Sequence, residues 1–184
     1  MITLQPFKQE DFSQLIEWID SPKLLLQWAG PTFHYPLTIE QLETYIKTAN
    51  QKNADTYIYK VIETETNTVV GHISLGRMDR KNQSARIGKV LVGVQKSRGR
   101  GIGQQMIKEV LKLAFHEHKL HRVSLGVYDF NISAIACYEK AGFNKEGLLR
   151  DIAKFENDYW SMWEMSILKS EWDGGSCVPV LRKN

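Results

Sequence analysis

The sequence predicts an α/β (α+β) fold: one domain in which helices flank a mixed, mostly antiparallel central sheet of about seven strands. Three observations lead there. A chain of 184 residues, 42% hydrophobic, has the size of one globular unit with a substantial core. Short runs rich in β-branched and aromatic residues alternate with segments whose apolar residues recur at helical spacing. Two of those runs, "TYIYKVIE" and "TVVGHISLGRM", are separated only by the polar turn "TETN", which is a hairpin signal.

In chain order, "ITLQPF" reads as the first strand and "EDFSQLIEWI" as a helix with Phe12, Leu15, Ile16 and Ile19 on one face. Pro22 interrupts, and "GPTFHYPL", residues 30–37, reads as a loop. Thr38 is an N-cap residue type, and "TIEQLETYIKTAN" returns to helical spacing through Leu42, Tyr45, Ile46 and Ala49. After the hairpin, "SARIGKVLVG" is a further strand leading into a glycine-rich turn. The helix "GQQMIKEVLKLAFHEH" follows, with Met106, Ile107, Val110, Leu111 and Ala114 on one face. "RVSLGVY" is a strand, "NISAIACYEKAG" a short helix closed by Gly142, and "FNKEGLLRDI" and "YWSMWEMSIL" are the last strands. The domain is expected to span residues 1–172, and "DGGSCVPVLRKN", residues 173–184, loses all periodicity and reads as a tail.

The longest apolar runs fall far short of the roughly 20 residues of a membrane span. "MITLQPFKQEDF" carries neither a basic leader nor an apolar h-region, so a cytoplasmic protein is expected. Cys137 and Cys177 form no Cys-x-x-Cys pattern, so neither a disulfide framework nor a metal site is expected. A net charge of +3 does not by itself point to nucleic acid.

Basic residues gather in "VQKSRGRGIGQQMI", residues 94–107. Taken alone, such a run reads as a solvated turn. Between a strand and a helix it means more, because unpaired N–H groups at the helix N-terminus point into the turn and favour an anion. Gly99, Gly101 and Gly103 would let phosphate oxygens reach the main chain, while Arg98 and Arg100 supply charge-assisted hydrogen bonds. A diphosphate is the matching guest. The Walker pattern Gly-x-x-x-x-Gly-Lys-Ser/Thr is absent, and the dinucleotide fingerprint needs a glycine where Met106 stands. Asp129 could imitate the ribose-binding acid, so a dinucleotide-binding enzyme stays as an alternative.

"RGRGIG" and, downstream, "NISAIACYEKAGF" together resemble the acetyl-coenzyme A loop and the second motif of the GNAT N-acetyltransferases. With "KEGLLRD" following, the chain is most similar to the RimJ/RimL-like branch, which includes ribosomal-protein and spermidine acetyltransferases. The element order agrees over roughly residues 1–170, the motifs over about 86–150. The resemblance implies that the fourth and fifth strands splay apart. It implies that Leu91, Val92 and Gly93 pair with the pantetheine arm of acetyl-CoA, and that Arg98, Gly99, Arg100, Gly101, Ile102 and Gly103 hold its diphosphate. Asn131 and Ser133 would touch the coenzyme from the other side, and Tyr138 would be the catalytic residue near its sulfur. Trp28, Phe33, His34 and Tyr35 would wall the acceptor side, where His72 could look into the cleft. The implied reaction is direct acetyl transfer, in a ternary complex, to a primary amine such as a protein N-terminus, a polyamine or another small amine. A monomer or homodimer is expected, without nucleic-acid or membrane partners.

Each of these residues also has a plainer reading. Gly88 and Gly93 are unusual within a strand and mark a bulge or a close backbone approach. Tyr138 reads equally as a core aromatic, Asn131 as an N-cap, and Cys137 as a small buried residue rather than an acyl carrier. His116, His118 and His121 look like a metal cluster, but residues i and i+2 do not share a helix face, and cations near a helix C-terminus are the simpler reading. His72 alternates with Val70 and Ser74, opposite Ile73 and Leu75, as a polar-face histidine would.

One departure bears on mechanism. Many relatives read Ala-Glu-Ile-Gly at the start of the fourth strand, with the glutamate a candidate base. Here the stretch is "SARIGKV", and Arg86 cannot accept a proton. Deprotonation of the amine is therefore expected from an ordered water relayed to backbone carbonyls, or from a group such as His72. The rival from another class is a non-catalytic acyl-CoA-binding sensor that keeps the loop and has lost turnover.

Overall fold

Alternation of side chains along the β-rich runs produces one seven-stranded sheet in the order β1-β2-β3-β4-β5-β7-β6. The strands are β1 Ile2–Pro6, β2 Tyr57–Glu63, β3 Thr68–Asp79, β4 Ser84–Val92, β5 Arg122–Tyr128, β6 Asn144–Phe155 and β7 Asp158–Leu168. The structure is a computed structural model that describes residues 1–172; the expected tail at 173–184, with Cys177, lies outside the described residues. Neighbouring strands are antiparallel except β4 and β5, which run parallel and pair only from Ser84–Arg86 to Arg122–Ser124. Beyond Arg86 that ladder stops, which is the expected splay.

Among the described residues, five α-helices cover the sheet: α1 Phe12–Trp18, α2 Pro22–Ala29, α3 Ile39–Ile46, α4 Ile102–Lys112 and α5 Ile132–Lys140. They form two cores. Ile102, Met106, Ile107, Val110 and Leu111 of α4 and Ile135 and Tyr138 of α5 pack with Ile73, Leu75 and Ile87 of the sheet. Phe12, Leu15, Leu25, Trp28 and Leu42 of α1 to α3 form the second core with Phe7, Ile58 and Leu91. Each fully buried aliphatic side chain contributes about 1.5–3 kcal/mol, so these stripes fix the helices on β4 from both sides.

Two elements differ from expectation. α1 has already ended at Trp18, and Pro22 opens α2, since a proline at the first helical position gives up an N–H that has no partner there anyway. Ser21 caps this helix, its Oγ accepting from the Leu24 N–H at 3.3 Å. The long helix expected to reach residue 118 stays α-helical only to Lys112 and continues as a π-turn over Leu113–Glu117. Thr38 caps α3 as expected, accepting from the Gln41 N–H. Among the described residues, no helix is long and apolar enough to cross a membrane.

Candidate active site

Between β4 and α4 the chain turns through Arg98–Gly103. Gly99 and Gly101 have φ of 74° and 78°, a left-handed conformation costly to other residues, and a Cβ on either would meet nothing within 4 Å. Ser21, Thr38 and Asn131 cap α2, α3 and α5, whereas α4 starts at Gly101 with no capping side chain. Its leading N–H groups are therefore left for a ligand, beside open space that suits a diphosphate. The diphosphate contact expected here would rest on the main chain more than on the arginines, which are engaged elsewhere. Arg98 Nε donates to the Val92 carbonyl at 3.0 Å, and Arg100 pairs with Glu63 at 3.1 Å. Gly103 lies against α5, where a Cβ would make only ordinary contact with Cys137 Sγ at 3.8 Å.

The glycines in and after β4 separate into two causes. A Cβ on Gly93 would overlap the indole of Trp18, so the close approach at this position is to α1. The bulge lies one residue past Gly88. His72 faces Leu91 and Ser74 faces Gly88, so two steps on β3 oppose three on β4, and Lys89 takes φ 51°. Side chains of β3 satisfy the bulge: Ser74 Oγ donates to the Gly88 carbonyl, and His72 Nδ1 bonds the Lys89 carbonyl, both at 3.0 Å. The Gly93 N–H donates to the Val70 carbonyl at 2.9 Å. Leu91 and Val92 also pair with His72 and Gly71 of β3, whereas the edge of β4 that faces β5 carries no ladder beyond Arg86, and it is this edge that the expected pantetheine contact would use.

On α5, Asn131 Oδ1 accepts from the Ala134 N–H and from Ser133 Oγ, both at 3.3 Å, so the N-cap reading holds. Tyr138 is buried with Phe143, and burial raises its phenol well above the usual range, keeping it a proton donor. Burial likewise raises the Cys137 thiol, a poor setting for an acyl-carrying thiolate. His116 lies against Trp172 and His118 against Tyr57, and no metal-binding cluster exists among the described residues.

The α1–α3 face carries an aromatic cluster. Trp28 stacks on Phe33 at 5.7 Å, Tyr45 meets Phe33 edge-on at 5.3 Å, and His72 stands edge-on to Trp28 at 5.3 Å and to Phe7 at 4.9 Å. His72 is thus no polar-face residue. It is 1% exposed, because α2 and α3 lay rings over that face of β3. Burial lowers its pKa to about 4, and since a carbonyl only accepts, the neutral ring carries its proton on Nδ1. Among the described residues, the buried His72 Nε2 and Trp28 Nε1 have no hydrogen-bond partner, and the buried Tyr45 hydroxyl has Ser74 beside it. Tyr35 stands apart, 46% exposed, donating to the Asp20 carbonyl at 3.2 Å. The structure therefore gathers Trp28, Phe33 and His72, but not Tyr35.

Sequence reasoning left out Tyr45 and Lys89 as site residues. Lys89 Nζ lies 5.8 Å from the Phe33 ring centre and 5.1 Å from that of Tyr45. The signal was a lysine breaking the apolar run "IGKVLV". Glu164 of β7 was also missed. It pairs with Arg86 through both carboxylate oxygens, Nη2 to Oε2 at 2.8 Å, and Arg86 Nη1 reaches Ser124 Oγ at 3.4 Å. Gly126 makes the room, since a Cβ there would run into Arg86 Nη2 and Met162 Sδ.

Residues 1–144 match the acetyltransferase (GNAT) domain family. The SPbeta prophage-derived uncharacterized N-acetyltransferase YokL of Bacillus subtilis (strain 168) is 32% identical over 129 residues, 70% of this chain and 70% of its own. YdaF of the same organism, which bears the name of a ribosomal N-acetyltransferase, is 31% identical over 107 residues, 58% of this chain and 57% of its own. The structure of spermidine N-acetyltransferase from Vibrio cholerae in complex with CoA and spermine has a TM-score of 0.80 over 92% of this chain and 96% of that one, a likeness of fold at 20% identity. With the splayed sheet, the uncapped glycine loop and the family match together, this chain belongs to the GNAT acetyltransferases, enzymes that transfer an acetyl group from acetyl-CoA to an amine.

Proposed function

We propose that residues 1–172 form a RimJ/RimL-like N-acetyltransferase whose acceptor is a peptidyl N-terminus or a small monoamine. The observation that carries this reading is the arrangement around β4. The uncapped start of α4 follows one end of the strand, and the aromatic cluster covers one of its faces. Main-chain groups of Leu91–Gly93 receive the pantetheine arm, Arg98–Gly103 the diphosphate, and Asn131 and Ser133 flank the coenzyme.

In the ternary complex the amine nitrogen attacks the thioester carbonyl carbon. A C–N bond forms, the C–S bond breaks, the amine loses one proton, and Tyr138 gives one to the departing sulfur. An ordinary alkylamine has a pKa near 10.4, so presenting it unprotonated at pH 7 costs about 5 kcal/mol. Trp28, Phe33, Tyr45 and His72 wall the acceptor side, and the charged group placed over two of these rings is a lysine. That charge disfavours a polycation and favours an acceptor with a single amine.

Thiol release from acetyl-CoA, measured against peptides with free N-termini, simple monoamines and spermidine, tests the reading. Turnover with a peptide or monoamine above that with spermidine is expected. Tight coenzyme binding with no release for any amine would identify the non-catalytic sensor instead.

A further inference from the structure

We infer that Lys89 is a further catalytic residue: its ε-amino group, held by the β4 bulge at the splay of β4 and β5, accepts the proton that the acceptor amine loses. This rests on the acetyl-transfer reading above and assigns the base that Arg86 cannot be.

Position is the first argument. The β4–β5 ladder ends at Arg86, and the stretch proposed to receive pantetheine starts at Leu91. Lys89 lies between them, where the parallel strands have parted, and its Nζ reaches the aromatic cluster on the acceptor side. One residue therefore joins the two half-sites. Its backbone conformation is the second argument. A lysine at φ 51° costs about 1–2 kcal/mol that glycine would avoid, and two β3 side chains hold the bulge in place.

Charge is the third. Lys60 pairs with Asp11, Arg86 with Glu164 and Arg100 with Glu63, but among the described residues no carboxylate pairs with Lys89. The titratable or charged groups turned toward it are Arg77 and His72 of β3 and Tyr45 of α3; α2 and the turn after it bring the aromatic rings of Trp28 and Phe33 to the cluster. Burial, then the like charge of Arg77, lowers the Lys89 pKa to about 8. Roughly a tenth of the molecules then carry neutral Lys89 at pH 7, against about one in two thousand five hundred for an ordinary lysine.

The other groups nearby are unsuited. Glu164 is held by Arg86, His72 is walled in by rings with a pKa near 4, and burial keeps the Tyr45 phenol protonated. The protons balance. Neutral Lys89 takes one from the attacking nitrogen as C–N forms and C–S breaks, and Tyr138 gives one to sulfur. The Lys89 ammonium afterwards releases its proton to solvent, and Tyr138 regains one.

Two measurements on the full chain test this. The first is ¹³C NMR titration of the lysine side chains in the coenzyme-loaded protein, with Lys89 assigned by its loss in Lys89→Met. A midpoint near 8 is expected; a midpoint at the ordinary value of about 10.4 overturns the proposal whether or not an acceptor is known. The second is the pH profile of kcat/KM with whichever amine supports thiol release. Lys89→Met and Lys89→Arg should both lose about 10²–10⁴-fold in kcat, with the KM for acetyl-CoA and the coenzyme-induced melting shift preserved. Their profiles should lose the inflection near 8 and climb toward the pKa of the amine. Retained kcat in Lys89→Arg overturns the proposal, because arginine keeps the charge and accepts no proton. Absence of turnover with every amine would sink the functional reading alone, leaving the titration to decide Lys89.

Discussion

In the proposed complex the α4–α5 side of the sheet would meet its ligand with main-chain N–H groups at an uncapped helix start, whereas the α1–α3 side would do so with side chains. The first site depends on two glycines close together in sequence. The second needs Trp28 from α2, Phe33 from a turn, Tyr45 from α3, His72 from β3 and Lys89 from β4. A coenzyme common to many enzymes can be held by backbone, which any side-chain variation leaves in place. An acceptor is distinguished by its own shape and charge, and only side chains can do that.

The comparison breaks most visibly at Gly101. Gly101→Asp should abolish the coenzyme-induced rise in melting temperature, since it puts a negative charge beside the diphosphate. Gly101→Asn, which tolerates the same φ without the charge, should keep much of the rise. An unchanged shift in the aspartate variant would move the coenzyme elsewhere.

On the other side, His72 gives the next largest effect. Its folded pKa of about 4 lies below the unfolded value of 6.5, so as pH falls the unfolded chain takes the proton first. Stability fully present above pH 6.5 is lost on descent through 4, by about 3 kcal/mol. Urea unfolding at a series of pH values should show this slope in the wild type and a flatter one in His72→Gln; parallel curves would contradict the burial of the ring.

Tyr138→Phe should lower kcat about 10²-fold or less, because a thiolate is a tolerable leaving group, with coenzyme affinity unchanged. Full activity would leave Tyr138 with packing alone. The smallest effect belongs to Arg86→Ala. The chemical step should survive within a few-fold, with any loss in acceptor KM and about 1 kcal/mol of stability lost, since the pair with Glu164 is about a quarter exposed. A dead enzyme that still binds coenzyme would place Arg86 in the reaction.

The same contrast decides what the sequence made legible. The strands and four of the helices follow from local periodicity, and the anion loop from glycines beside a helix start, so both could be read without tertiary information. Pro22 reads locally as an interruption, and only the Ser21 cap reveals that it opens α2. Alternation placed His72 on the face of Ser74 correctly, but not the rings that α2 and α3 lay over it. The bulge at Lys89 and the Glu164 partner of Arg86 arise from strand pairing between distant segments, which a single sequence does not encode at any fixed spacing.

Hydrogen exchange of the full chain, measured free, with CoA, and with CoA plus an acceptor amine, tests the division of labour between the two sides most directly. CoA alone should slow the amides of Leu91–Gly93, Arg98–Gly103 and the first turn of α5, leaving α2 and α3 unchanged. Adding the amine should then slow the segment from Trp28 to Tyr45. Protection of α2 and α3 by CoA alone, or none at Arg98–Gly103, would contradict the account.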